Sequence, residues 1–457
     1  MGLFSSHFRN GLLYFKITQR ILALKKRFIW IFILIATTLN ILYAKNAPFS
    51  LYELKGDSDG ATLLVIGGIH GDEPGGYFAP SILINSYHIL KGNVLVVPNL
   101  NPDSIIAFKR GIYNDMNRKF ATIDRNDPDF DNVAKIKEII TNPKVNFIIN
   151  LHDGHGFYRQ KWENSIFNPK AWGQTYVIDQ KTLDNILFGN LDEIAKQIEN
   201  KLNQELHYDF HTFGVRNTET RFKDEEQQNS LTYYAITHLK PALAIETSKN
   251  IKELPLKVFY QLSSIEALMD ILGIEYTRDF TLDLKSVESK IKSYGTLTIN
   301  NNITFDLDNI KKTINFVPLL KDNNHFAFKH PLGRTKKVKN GYEIYIGHQK
   351  ITFLKSDYFP MQCNIQDIEI TIDKNITKKV NFGKILDFKE GFLIKKTNAR
   401  INIIGYSKNG VTSEEEIYLT ADEIDKNFSL DKNNQSFRVE VYQGENFCGM
   451  VTMKKGN

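Results

Sequence analysis

The sequence predicts an α/β domain built on a mixed, mostly parallel sheet flanked by helices, followed by two small β-rich domains. Three observations predict it. Between about Pro48 and Tyr276, short runs nearly continuous in apolar residues alternate with segments of helical periodicity, as strands buried on both faces alternate with crossover helices. After Tyr276 the periodicity drops to two, and turn residues interrupt it repeatedly. The chain has 457 residues, where a single domain typically has ~100–200, and its 42% hydrophobic and 24% charged content excludes a collagen-like or wholly disordered chain.

The buried-strand runs are ATLLVIGGIH (61–70), NVLVVPNL (93–100), VNFIINLH (145–152) and PALAIET (241–247). Between them the spacing predicts helices over 75–90, 131–141, 181–204 and 254–272; in the third, Leu187, Leu191, Ile194 and Ile198 recur on one face. The later alternating runs are TLTINNNITFDL (296–307), GYEIYIGHQKITFL (341–354), FLIKKTNARINIIGYSKNGVT (392–412) and SFRVEVYQG (436–444). Asn340-Gly341 and Asn409-Gly410 mark tight turns, because both residue types tolerate positive φ. The division expected is a leader over 1–44, an α/β domain over 45–280, and β-rich modules over 281–365 and 366–457. Every motif discussed below lies before residue 250, so the modules are expected to serve folding or docking rather than chemistry.

Phe28 to Ala44 is a 17-residue uncharged stretch that follows Lys25-Lys26-Arg27. That is the pattern of a secretory signal, with Leu42 and Ala44 placed for cleavage; an uncleaved anchor through residues 28–44 is the alternative. Either way the remainder is expected outside the cytoplasm, in the periplasm. Six of the 58 Lys and Arg fall within residues 1–44, which hold no Asp or Glu, so the rest is balanced at 52 of each sign. A balanced body argues against nucleic acid as a partner. Only Cys363 and Cys448 are present, enough for one disulfide or for two buried thiols, and too few for a zinc finger.

Four segments carry the chemistry. Gly67-Gly68-Ile69-His70-Gly71-Asp72-Glu73-Pro74 directly follows a buried strand, with His70 and Glu73 three apart and glycines on both sides. His152 ends the strand VNFIINLH, and with His70 and Glu73 it completes the His₂Glu donor set of a catalytic zinc that keeps one position open for water. Asn99-Leu100-Asn101-Pro102-Asp103, Arg110 and Asp115-Met116-Asn117-Arg118-Lys119-Phe120 form the third segment, and Glu246 ends the strand PALAIET. His155 competes with His152 as the donor; His152 is favoured because it stands at the strand end, where the run projects into a crevice. Asp72 and Asp153 are read as turn or supporting residues.

In this order the segments resemble the M14 zinc carboxypeptidases. HGDE is similar to the HxxE ligand motif, NPDS to the NPDG turn, DMNRKF to the DLNRNF box, LHDGHG to the segment carrying the third ligand, and AIETS to the strand bearing the catalytic glutamate. The resemblance covers roughly residues 60–275. The layout with two β modules, and LHDGHGFY with WGQTYVID, further resembles the cell-shape DL-carboxypeptidases of helical epsilonproteobacteria, which trim peptidoglycan tripeptide stems to dipeptides and release meso-diaminopimelate. The resemblance implies a zinc carboxypeptidase-like fold, Zn²⁺ on His70, Glu73 and His152, and peptidoglycan stem peptides as partners. It makes Glu246 the general base and acid, Arg110 the polariser of the scissile carbonyl, and Asn117 with Arg118 the clamp on a terminal carboxylate.

General chemistry asks for the same groups. Proton transfer needs a carboxylate within hydrogen-bond reach of the metal-bound water, and an exopeptidase needs a guanidinium fork for the free chain end. The chain departs from the digestive enzymes in two respects: the spacing from Glu73 to His152 is shorter, and TRFKDEEQQ (220–228) stands where their pocket-closing tyrosine would fall. Trp172 is read either as core or as a wall of the substrate pocket, and Thr232 is a further pocket candidate upstream of Glu246. Asp224, Glu225 and Glu226 are a solvated run or the partner of a substrate ammonium. Lys336-Lys337 and Lys378-Lys379 are exposed charges to which an anionic glycan would give a partner. Two other readings remain at this point: an amidohydrolase of the aspartoacylase or succinylglutamate desuccinylase type, whose HGxE motifs are similar, and a catalytically dead wall-binding scaffold.

Overall fold

The computed structural model describes residues 49–456, so the leader expected over 1–44 lies outside the described residues. The first domain is organised on a sheet whose strands are β1 (Tyr52–Lys55), β2 (Ser58–Ile66), β3 (Tyr87–Val97), β4 (Phe147–Gly154), β7 (Thr175–Ile178), β8 (Gly214–Asn217), β9 (Ala242–Ser248) and β10 (Glu275–Arg278); β5 (Phe157–Tyr158) and β6 (Phe167–Asn168) form a separate ribbon. The order is β1-β3-β2-β4-β9-β7-β8, with β10 also paired to β3. The central neighbours β3, β2, β4 and β9 are parallel throughout, as the near-continuous apolar runs predict, while β1, β10 and β7 join antiparallel. All eight residues of β4 are buried, the burial expected of a strand covered on both faces.

The covering helices are α1 (Pro74–Ser86), α2 (Pro102–Ala107), α3 (Phe130–Ile140), α4 (Leu191–Leu202), α5 (Thr220–Lys223), α6 (Leu231–Thr237), α7 (Leu254–Ile271) and α8 (Leu284–Ile291). Gly76 lets α1 lie close on β4, since a Cβ there would come within 2.5 Å of the Leu151 carbonyl oxygen. Two helix expectations need correction. The segment 75–90 is helical only to Ser86, because Tyr87 and Ile89 pair with Arg278 and Tyr276 of β10, a partner invisible to local periodicity. The segment 181–204 is helical only over α4. Before it, Asn185 and Phe188 take positive φ and Leu183 N–H donates to Gly189 O at 2.8 Å, closing a turn that no α-helix contains.

Residues 295–358 add a three-stranded sheet and a four-stranded sheet, and residues 367–455 add two four-stranded sheets. The first hydrophobic core does not stop at residue 280: Leu63, Ile148 and Leu268 belong to one cluster with Val317, Ile344 and Leu354. A second cluster, including Ile370, Phe392, Val439 and Met453, sits within the last module. His348, on the turn of the hairpin at 341–358, reaches back to α1, where its Nδ1 lies 2.7 Å from the Tyr77 hydroxyl. The last module is tied on by Met450 N–H donating to Asn302 O at 2.9 Å and by a Cys363–Cys448 disulfide. Of the two readings left open for the cysteines, the structure takes the disulfide. Among the described residues no helix is long and apolar enough to cross a membrane.

Candidate active site

The site forms where the parallel strands end. The loop after β2 is clamped by backbone: Leu100 N–H donates to Gly67 O at 3.0 Å and Asn101 N–H to Gly68 O at 2.8 Å. That clamp delivers His70, and Pro74 starts α1 so that Glu73 stands at its first turn. β4 delivers His152 at its end, and all three side chains are at most 3% exposed. Their donor atoms lie within 4.8 Å of one another. His70 Nδ1 is 3.0 Å from Glu73 Oε1, His152 Nδ1 is 2.9 Å from Glu73 Oε2, and the two Nδ1 atoms face each other at 3.2 Å.

Supporting groups fix these donors. His70 Nε2 sits 2.8 Å from Asp115 Oδ1, which orients the ring and leaves Nδ1 turned to Glu73 and His152. Burial acts to lower His70, but the Glu73 and Asp115 carboxylates outweigh it and hold the imidazole pKa above its ordinary value. Burial lowers His152, so that ring favours its neutral form. Two imidazole nitrogens and a carboxylate converging in a buried spot, with the far nitrogen of His70 already engaged, fit a divalent transition metal. Gln261 donates to the His152 carbonyl oxygen at 2.8 Å and steadies that strand end.

A cleft of about 210 Å³ opens over the donors and is lined by Arg110, Asn117, Arg118, Trp172, Thr232 and Glu246 among others. The three expected metal donors, Glu246, Arg110, Asn117, Arg118, Trp172 and Thr232 therefore meet in one place. Glu246 lies near the end of β9; burial, reinforced by the Glu73 carboxylate, pushes its carboxyl well above the usual range. Arg110 is tied down, donating from Nη1 to Glu73 at 3.1 Å and from Nε to Asp115 at 3.0 Å. Asn117 lies in a short 3₁₀ turn, Met116–Arg118, that the Asp115 carboxylate caps; its side-chain oxygen Oδ1 accepts the Leu231 N–H at 2.9 Å, fixing the turn to α6. Thr232 sits on α6, and Trp172 presses on Gly154, where a Cβ would come within 2.8 Å of Glu246 Oε2.

His155 lines the cleft but is exposed and outside the donor cluster, so the geometry selects His152. Asp72 pairs with Lys249 at 2.7 Å, and buried Asp153 accepts from Gly75 N–H at 3.1 Å, faces Lys257 at 3.2 Å and is bonded by the Thr247 hydroxyl. Of the acidic run, Asp224 and Glu226 line the cleft and Glu225 does not. Lys337 pairs with Asp322 at 2.9 Å and Lys379 with Asp367 at 3.4 Å, far along the chain from the cleft. Sequence reasoning missed Asp115, Lys249, and Asp179, whose buried carboxyl accepts from Thr220 and Thr232. For Asp115 a signal existed, as it heads the quoted DMNRKF segment.

The family model described as carboxypeptidase controlling helical cell shape, catalytic, matches residues 24–292, and the model for the C-terminal domain of metallo-carboxypeptidase matches residues 361–456. No curated protein matches the sequence significantly. Among solved structures, tripeptide-bound cell shape determinant Csd4 from Helicobacter pylori is 33% identical with a TM-score of 0.84, covering 89% of this chain and 100% of that one. The mDAP-bound form of Helicobacter pylori Csd4, described as a D,L-carboxypeptidase, is 33% identical with the same TM-score and coverage. With a family model over more than half its length and relatives of 33% identity covering 89% of it, the chain belongs to the carboxypeptidases that control helical cell shape.

Proposed function

We propose that this carboxypeptidase is zinc-dependent, acts in the periplasm, and removes the terminal meso-diaminopimelate from peptidoglycan stem tripeptides to leave dipeptides. Support comes from the family and from relatives whose structures hold a tripeptide and mDAP. The observation that carries the reading is the convergence of His70, Glu73 and His152 with Glu246 in a cleft that Arg118 also lines.

In this reading His70 Nδ1, His152 Nδ1 and the Glu73 carboxylate hold Zn²⁺. When bound, the ion supplies a nucleophilic water of pKa ~7 and polarises the scissile carbonyl. Glu246 would take the water's proton on its carboxylate and return it to the leaving nitrogen. Arg110, pinned by Asp115, directs its guanidinium at the developing negative charge on the carbonyl oxygen. Arg118 grips the terminal carboxylate beside Asn117, while Trp172 and Thr232 wall the residue to be removed.

Incubating purified, zinc-loaded protein with alanyl-γ-glutamyl-diaminopimelate tests the reading. Mass spectrometry should find free diaminopimelate and the dipeptide; cleavage at the alanyl bond, or none, rejects it. For the location, fusion after Ala44 to a reporter active only in the periplasm should give signal, and a silent fusion with a cytoplasmic product rejects the export.

A further inference from the structure

Four cations stand in or against the cleft, and two are already spent. Arg110 is bound to Glu73 and Asp115, and Lys249 lies 2.7 Å from Asp72 and 3.3 Å from Glu73. Arg118 and Arg216 differ: among the described residues neither has an ion pair. Arg118 donates only from Nη1, to its neighbour Asn117 O at 3.1 Å. Arg216, on β8, also donates only from Nη1, to Ala171 O at 2.9 Å and to Lys170 O at 3.5 Å. In both, the edge formed by Nε and Nη2 is left open, and that edge carries the two parallel donors matching a carboxylate.

Arg216 is also held in place. Its guanidinium carbon lies 3.8 Å from the centre of the Trp172 ring, and Trp172 is the cleft wall next to Glu246. The side chain is only half exposed, and burial depresses its pKa, with Glu246 and Asp224 acting on it through space rather than as partners. A partly desolvated guanidinium without a counter-ion is costly, and a bound anion relieves that cost. The stack and the backbone bond fix its direction beforehand, so little side-chain freedom is lost on binding.

We propose that Arg216 forms a second carboxylate subsite, which takes a carboxylate of the stem other than the terminal one assigned to Arg118. This rests on the peptidoglycan reading above and goes one step beyond it. An alanyl-γ-glutamyl-diaminopimelate stem offers two such groups: the glutamyl α-carboxylate, left free by the γ-linkage, and the distal carboxylate of diaminopimelate. An ordinary α-linked peptide of neutral residues offers neither. The subsite therefore selects wall stems over common peptides before any chemistry occurs.

The test compares wild type with Arg216→Gln on three stems: the parent tripeptide, the tripeptide amidated at the glutamyl α-carboxylate, and the tripeptide with lysine in place of diaminopimelate. On the parent stem kcat/KM of the variant should fall by about tenfold to a hundredfold, the worth of one charge-assisted bond. On one modified stem the wild type should lose the same factor and the variant should lose nothing more, and that stem identifies which carboxylate is held. An equal loss for the variant on all three stems, or no loss, overturns the proposal, because Arg216 would then only prop Trp172 or do nothing. Zinc content and the thermal midpoint verify that the variant is folded; if it is not, Arg216→Lys, which keeps the charge and loses the fork, is put through the same comparison. Failure of the wild type on the parent stem rejects the substrate reading and this proposal together, whereas cleavage without the stem-specific coupling rejects this proposal alone.

Discussion

His152 and Glu246 are register partners across the parallel pair β4 and β9. Neighbouring strands lie ~4.8 Å apart, so one donor of the metal cluster and the proposed proton carrier stand side by side toward the carboxyl ends of two interior strands. Glu246 also faces Thr175 of β7 across its other side. The centre of the site is thus mounted on three hydrogen-bonded strands, whereas His70, Arg110 and Arg118 come from loops tied to it by Asp115 and the backbone of 98–101.

Metal binding should follow the donor cluster. His152→Ala is expected to lose most of the zinc, while His155→Ala, outside the cluster, should keep it. Asp115→Asn leaves the donors in place but weakens their orientation, and should cost about 10–100-fold in zinc affinity. Metal analysis and competition with a chelator read all three; full zinc in His152→Ala would show that the donor set is wrong.

Glu246→Gln and Arg118→Ala should fail in different ways. Glu246 acts in the transition state, so its amide should retain zinc and substrate while kcat falls by ~10²–10⁴-fold. Arg118 binds ground and transition states alike, so Arg118→Ala should mainly raise KM, by about tenfold to a hundredfold. Amidating the terminal carboxylate of the stem should reproduce the Arg118 defect on wild-type enzyme. Equal cleavage of the acid and the amide would mean that the free chain end is not read by this site.

Breaking the Cys363–Cys448 bond should loosen the last module. The disulfide closes a loop with a sequence separation of 85 residues, and its loss should cost about 2–4 kcal/mol. Thermal melts of the native protein against Cys448→Ser, or against protein under reductant, should show an earlier transition of the C-terminal part. An unchanged melt would place the holding force in the shared hydrogen bonds and in the packing of Leu430, Tyr442, Phe447 and Met450 into the first core.

Asp179 should give the fold a pH dependence. Burial, reinforced by Asp224, pushes its carboxyl up to about 6 despite the Thr220 and Thr232 hydroxyls. In the unfolded chain it titrates near ~3.9, so the folded state holds the proton more tightly between the two values. Its contribution to stability is therefore full below pH ~4 and lost as pH rises through about 6. Asp179→Asn should remove a slope of up to about 3 kcal/mol between pH 4 and 7 in denaturant titrations. An unchanged slope would assign the dependence to other groups.

The order of motifs in the chain determined much of this protein by itself. HGDE, DMNRKF, the strand-end histidine and AIETS point to the candidate donors, clamp and acid–base residue, because each chemistry restricts its residue types and each lies at a loop or strand end that short-range patterning marks. Buried parallel strands are legible for the same reason: both faces are covered, so the run is apolar without a break. Only the tertiary structure decided the rest. It ended the helix at Ser86 where β10 pairs with the next residues, extended the first core through Val317 and Leu354, and brought Arg216 against Trp172. These depend on contacts between residues distant in sequence, and a contact of that kind leaves no periodicity in either segment that makes it.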